Sequence, residues 1–401
     1  MPDSKALTQT THGVMATFAS VSVDEVRPRN NSYFPALDGL RAIAFGMVFM
    51  DHYLQMPWGW AGVDVFFVLS GFLITGILFD TREDAHRVRN FYLRRTLRIF
   101  PLYYGVIILV ALLYPVFHWR WSWHWLIWPF YIANFACIAG DYSKRPSLEV
   151  LNDGSLWSMK HPNNGLIFGH FWSLCVEEQF YLIWPWIVFW IKDRKKLLWF
   201  CGTFVLMAPL LRIVSGHWMP SYMLAQETLY RVTPFRIDSL LLGGLIALVY
   251  RGKSVGTLTL AARVAFVAMS GAFLLWLVLK PGARYGTIHY VYPNWEFTWG
   301  LVFIDLFSAA ILILSLTPES WTSKVLAFRP LRWLGRISYG AYVFHDIPHL
   351  AIMHFVQHHT GHYRLPTAAI ALVGTLLIAW ASYRWYETPF IRLKDRFTYH
   401  G

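Results

Sequence analysis

From residue 36 onward the sequence returns repeatedly to apolar runs of about twenty residues, the length one α-helix needs to cross the roughly 30 Å hydrocarbon core of a bilayer. Such runs cover 36–56, 62–79, 100–117, 121–137, 171–191, 197–214, 236–250, 258–279, 297–316, 338–356 and 367–386. Composition agrees: 56% of the 401 residues are hydrophobic and only 14% charged, which excludes a disordered chain and argues against an ordinary soluble enzyme. A soluble all-helical bundle is the alternative. The 21 Trp and 21 Tyr favour the membrane, because their rings sit well where hydrocarbon meets water. Cys137, Cys175 and Cys201 lie in or beside apolar runs without CxxC spacing, so core packing is expected rather than a disulfide framework or structural zinc.

The net charge of +12 is a topology signal here. Basic residues cluster at Arg82–Arg98, Lys192–Lys196, Arg251 with Lys253, Lys324–Arg336, and Arg392, Lys394 and Arg396, all expected on the cytoplasmic side. Eleven crossings would put the Lys192 cluster outside. The run Trp121–Cys137, short and holding Trp121, Trp123, His124, Pro129 and Asn134, is therefore expected to be re-entrant or interfacial. The expected fold class is all-α: a polytopic integral membrane protein with about ten transmembrane helices plus that one segment. Both termini then lie inside, and 138–170, 215–235, 280–296 and 357–366 face outward. Residues 1–32, polar and without a cleavable apolar signal, are expected to be a flexible cytoplasmic tail, with a membrane domain at 33–396 and a short tail at 397–401.

Several polar residues do not belong in lipid. Arg41 lies inside the first run and His52 follows eleven positions later, about 16 Å along a helix and on nearly the same face, so both side chains can line one cavity. A buried arginine normally faces protein or water and has a partner or a task. An interfacial His beside a snorkelling Arg is the bland alternative. The topology carries Asp64, Glu177, Glu178, Arg236 and Asp238 to the same outer side, and a His with nearby carboxylates suits general-base work. Taken singly, each acid is equally well explained by a structural ion pair. Before the third run, Arg94, Arg95 and Arg98 present guanidinium groups in a geometry that suits phosphates, or simply anchor the helix.

Weaker candidates read as structure. His345 reads as a satisfied core histidine, Ser70–Phe72 as small-residue packing, and His358, His359 and His362 as a solvated loop, so no metal site is expected. No GxSxG, P-loop or GxGxxG context supports a serine esterase or nucleotide-hydrolysing machinery.

A series of motifs in order, the Arg41–His52 pair with ten residues between, GVDVFFVLSGFLI, Arg95 and Arg98, WSLCVEEQFYLIWP, FRIDSLLLGG, GRISYGAYVFH and the closing YETPF, makes residues 33–396 resemble the family-3 membrane acyltransferases. That resemblance implies O-acylation, and O-acetylation by default, of sugars of bacterial surface polysaccharides. It implies no tightly bound cofactor, with acetyl-CoA or another acyl-CoA as donor from the cytoplasm. A carbohydrate or lipid-linked glycan would be the acceptor, with membrane lipids but no nucleic acid as surroundings, in the bacterial cytoplasmic (inner) membrane. By the same resemblance His52 is base or acyl relay, Arg41 steadies the donor or the charge developing on the thioester, Glu177 matches the acidic position of the WSLCVEEQFYLIWP motif, and Arg95 and Arg98 hold the CoA phosphates. The chain is expected to stand alone, without an appended esterase domain. A transporter of a glycan or small molecule is the rival function; the inverted repeat that often marks one is not visible.

Overall fold

In chain order the helices are α1 (Pro35–Leu54), α2 (Gly62–Asp80), α3 (Arg87–Leu113), α4 (Phe171–Trp190), α5 (Arg194–Trp218), α6 (Tyr222–Arg231), α7 (Ile237–Tyr250), α8 (Val255–Leu279), α9 (Leu301–Ser315), α10 (Trp321–Leu326), α11 (Arg329–Phe344), α12 (Arg364–Ala381) and α13 (Thr388–Lys394). This computed structural model describes residues 33–54, 56, 58–113, 126–135, 168–219, 222–252, 255–279, 296–347 and 364–398, and among them there is no strand. The tail 1–32, Trp121, Trp123, His124, Cys137, the loop 138–167 and the histidines His358, His359 and His362 lie outside the described residues.

Six helical segments among the described residues are long and apolar enough to cross a membrane: Gly59–Asp80, Arg87–Leu113, Arg194–Trp218, Leu258–Leu275, Phe297–Ser315 and Leu365–Lys394. The chain is a multi-pass membrane protein by that measure, with fewer qualifying helices than the ten expected. α1 and α4 are each 20 residues long, and their apolar character is diluted by Asp38, Arg41, Asp51 and His52 in one and Glu177, Glu178 and Gln179 in the other. Two boundaries move. The expected run 100–117 is the later part of α3, which begins at Arg87 and so places Arg94, Arg95 and Arg98 on the same rod as the apolar stretch. The run 338–356 gives way to α11, which starts with Pro330 in its first turn and ends at Phe344. Within 121–137, the described residues 126–135 hold turns and one 3₁₀ segment, Ala133–Phe135, and no longer helix.

α2 is the innermost rod. Its apolar window is 78% buried, against 11% for Leu258–Leu275, whose Val264 and Val267 face outward. Close contact with α7 depends on two glycines: a Cβ on Gly71 would lie 1.8 Å from the Leu240 carbonyl oxygen, and one on Gly243 would lie 1.9 Å from that of Val68. Backbones can pack this tightly only where no side chain intervenes. Gly71 thus packs as expected of Ser70–Phe72, whereas Ser70 donates to Glu177. The main core lies among α1, α2, α3, α4 and α11, where Phe45, Phe67, Tyr103, Phe171 and Trp184 are almost fully enclosed. Cys175 and Cys201 are buried, free thiols within it.

Candidate active site

Three helix ends meet at His52. It occupies the last turn of α1, His170 immediately precedes α4, and His345 and Asp346 follow α11. His52 Nδ1 lies 3.2 Å from Asp346 Oδ1 and 3.1 Å from His345 Nε2. His345 Nδ1 is 2.7 Å from the Tyr342 carbonyl oxygen, and a carbonyl only accepts, so that nitrogen carries the hydrogen. A neutral His345 ring then offers Nε2 as an acceptor. Both neighbours of His52 Nδ1 are therefore acceptors, which fixes the proton on Nδ1 and leaves Nε2 with its lone pair. Tyr53 holds the corner by donating its hydroxyl to the His345 carbonyl at 2.6 Å. His170 closes the group, with Nδ1 3.4 Å from Asp346 Oδ2 and Nε2 3.2 Å from the Val343 carbonyl oxygen.

His52 opens on a cavity of about 400 Å³ lined also by Asp51, His170 and Asp346. Trp60, Trp172, Tyr230 and Phe297 form an aromatic wall, and Gln226, Glu227 and Arg231 of α6 form a polar one. Burial pushes the Glu227 carboxyl above its ordinary range, and the Arg231 guanidinium, 2.5 Å away, offsets part of this.

A second cavity of about 100 Å³ adjoins the first, with Val63 and Tyr342 lining both. Arg41, Arg95, Arg98 and Arg336 face it together with Glu177 and Glu178. Glu177 accepts a 2.5 Å hydrogen bond from Ser70, Arg41 pairs with Asp38 at 3.1 Å, and the Arg95 guanidinium lies 3.8 Å above the Tyr181 ring. Tyr342 forms the partition: its hydroxyl donates to the His170 carbonyl at 3.0 Å and lies 2.5 Å from Ser173 Oγ.

The arrangement departs from the sequence expectation in several places. Arg41 and His52 share a helix face but open into adjoining chambers rather than one cavity. Glu177 and Glu178 sit with the arginines, not with His52. Asp64, Arg236 and Asp238 line neither chamber. Arg236, wholly enclosed, pairs with Asp64, while Arg212 bonds Asp238 at 2.7 Å and the Phe235 carbonyl at 2.6 Å. Desolvated ions must find opposite charge nearby, and these find it in one another. Arg94 turns away and donates to the Lys394 and Phe397 carbonyls, tying α13 to α3. His345 is buried and satisfied, yet it also touches His52. Sequence reasoning missed His170, Asp346 and the polar face of α6. Their only local signals were a His before the WSL motif and an acid after the final His, and neither reveals that the two converge.

The profile of the family described as an acyltransferase domain matches residues 34–384. The chain belongs to the acyltransferase family 3 domains. The peptidoglycan O-acetyltransferase OatA of Listeria monocytogenes is 31% identical over 382 residues, covering 90% of this chain and 56% of OatA. YrhL of Bacillus subtilis, provisionally named for the same activity, is 29% identical over 377 residues, covering 90% of this chain and 56% of its own length. A provisionally named O-acetyltransferase of Staphylococcus aureus is 27% identical over 392 residues, covering 89% and 57%. The chain thus spans little more than half the length of these curated relatives. No solved structure matches it.

Proposed function

We propose that this family member is a membrane O-acyltransferase, of class EC 2.3.1, that moves an acyl group, acetyl by default, from acyl-CoA to a sugar hydroxyl of a surface polysaccharide such as peptidoglycan. The observation that carries this reading is the pair of adjoining chambers, one rich in arginine and one holding a carboxylate-oriented imidazole, meeting at Val63 and Tyr342. The donor's phosphates pair with Arg95 and Arg98, its pantetheine arm passes Arg41 and brings the thioester to His52, and Glu177, held by Ser70, sits beside the guanidinium groups. The acceptor enters the His52 chamber. His52 Nε2 takes the hydroxyl proton as the oxygen attacks the thioester carbon, the carbon–sulfur bond breaks, and the proton passes to the departing thiolate. Asp346 orients the ring and stabilises its positive form, as a carboxylate beside a catalytic imidazole does. Transfer through a transient acyl-histidine uses the same atoms.

In this reading the chain belongs to the bacterial cytoplasmic membrane, with about ten crossings, the 121–137 segment not crossing, and both termini and the arginine chamber toward the cytoplasm, as the basic clusters favour. Acyl-CoA is a substrate, with no tightly bound cofactor.

The test is transfer of radiolabelled acetyl from acetyl-CoA to an alkali-labile ester on a polysaccharide extract, using membranes with wild type or His52→Ala. Label should fall by about 10²-fold or more in the variant. Equal labelling removes His52 from the chemistry, and labelling by neither removes acetyl-CoA or the acceptor class.

A further inference from the structure

The two chambers carry opposite charge. Among the described lining residues, Asp51, Glu227 and Asp346 face the His52 chamber against one guanidinium, that of Arg231. In the adjoining chamber four arginines outnumber Glu177 and Glu178. Polyanionic donor groups and the acceptor ring therefore meet opposite fields in two adjoining chambers.

α6 gives the His52 chamber its own recognition face. Gln226, Glu227, Tyr230 and Arg231 fall at i, i+1, i+4 and i+5, which places them on one side of the helix. The other side is anchored by Leu229, fully buried in a small core with Val232, Phe297 and Leu301. Tyr230 stands at the centre of an aromatic box. Its ring centroid is 4.8 Å from Trp172, 5.5 Å from Trp60 and 5.8 Å from Phe297. Aromatic faces receive the C–H faces of a sugar, and amide and carboxylate groups receive the hydroxyls at its rim. The volume of about 400 Å³ is in the range of small-ligand sites.

Resting on the transfer reading above, we propose that Trp60, Gln226, Glu227 and Tyr230 form the acceptor subsite and that it selects an uncharged pyranose. A uronate or phosphorylated sugar would bring its charge against three carboxylates balanced by the one guanidinium of Arg231, where like-charge contact is costly. A neutral ring meets carboxylate acceptors, the donor and acceptor of the Gln226 amide, and aromatic faces. The aromatic wall thus holds the ring beside His52, and the carboxylates reject the wrong class of sugar.

The experiment titrates the full chain, reconstituted in lipid nanodiscs without an acyl donor, with tri-N-acetylchitotriose and with trigalacturonic acid, following intrinsic tryptophan fluorescence. The neutral trisaccharide should bind saturably and the anionic one at least about tenfold more weakly. Trp60→Ala should weaken the neutral sugar by about tenfold, and Trp60→Phe, which keeps a ring, by less. Glu227→Gln should narrow the discrimination by improving trigalacturonate binding, a gain that loss of a merely structural ion pair would not produce. If Trp60→Ala does not fold, the Phe and Gln variants still decide. Equal binding of the two sugars, binding of neither, or unchanged selectivity in Glu227→Gln overturns the subsite. Because no acyl donor is present, sugar binding without acetyl transfer would sink the transfer reading alone. Transfer to an anionic sugar would sink the subsite alone.

Discussion

At the scale of single residues, His52 owes its proposed reactivity to what faces its Nδ1. Two acceptors there, Asp346 Oδ1 and His345 Nε2, hold the hydrogen on that nitrogen and direct the lone pair of Nε2 elsewhere. Replacing Asp346 by Asn keeps the shape but lets an amide N–H face Nδ1, which favours the wrong tautomer. The transfer rate should fall by about 10²-fold with acetyl-CoA affinity unchanged, a split that steady-state kinetics with varied donor resolves. Arg95 and Arg98 predict the opposite split. Alanine at both should weaken the donor by roughly tenfold or more, since each hydrogen bond to a charged group contributes about 1.5–3 kcal/mol, and equilibrium binding of acetyl-CoA to the purified chain measures it. An unchanged affinity would remove the phosphate role from both.

At the scale of elements, α2 is gripped from one side by α7 and carries, on one short stretch, both its packing glycine and a site hydroxyl. Gly71 meets the Leu240 carbonyl while Ser70 donates to Glu177. Gly71→Ala should therefore overpack the interface and destabilise the fold by about 1–3 kcal/mol, seen as a lower melting temperature in detergent. Ser70→Ala should leave melting nearly unchanged while loosening Glu177. The buried pairs Arg236–Asp64 and Arg212–Asp238 tie α2, α5 and α7 together away from the chambers. Arg236→Leu leaves Asp64 as an uncompensated buried charge and should cost about 3–5 kcal/mol. Its signature is loss of folded protein, with the surviving folded fraction binding acetyl-CoA normally; selective loss of donor binding would instead assign Arg236 to the site.

At the scale of the whole molecule, the helices divide the labour between surface and interior. The outward residues of α8 and α12, such as Val267 and Leu365, are apolar and largely exposed, as a lipid-facing surface requires. The polar residues that interrupt α1 and α4 point inward, so two helices that fall short as membrane spans by hydropathy contribute His52, Arg41 and Glu177 to the chambers. Their polar residues also keep α1 and α4 out of the six segments that are long and apolar enough to cross a membrane among the described residues.

Much of this was legible in the chain itself. Runs of twenty apolar residues require helices because lipid offers no partner to an open backbone, and a fixed spacing on one helix places Arg41 and His52 on a common face whatever surrounds them. Local sequence could not say which charges share a cavity. Asp64 and Glu177 look alike in the sequence, each an acid in an apolar run, yet one is sealed against Arg236 and the other opens beside Arg41. Nor could it bring His52, His170 and Asp346 to one point, since those contacts join helix ends far apart in the chain. Backbone satisfaction and helical pitch are local properties, fixed by the residues in order; the pairing of buried charges depends on which helices pack together, and that only the tertiary structure decides.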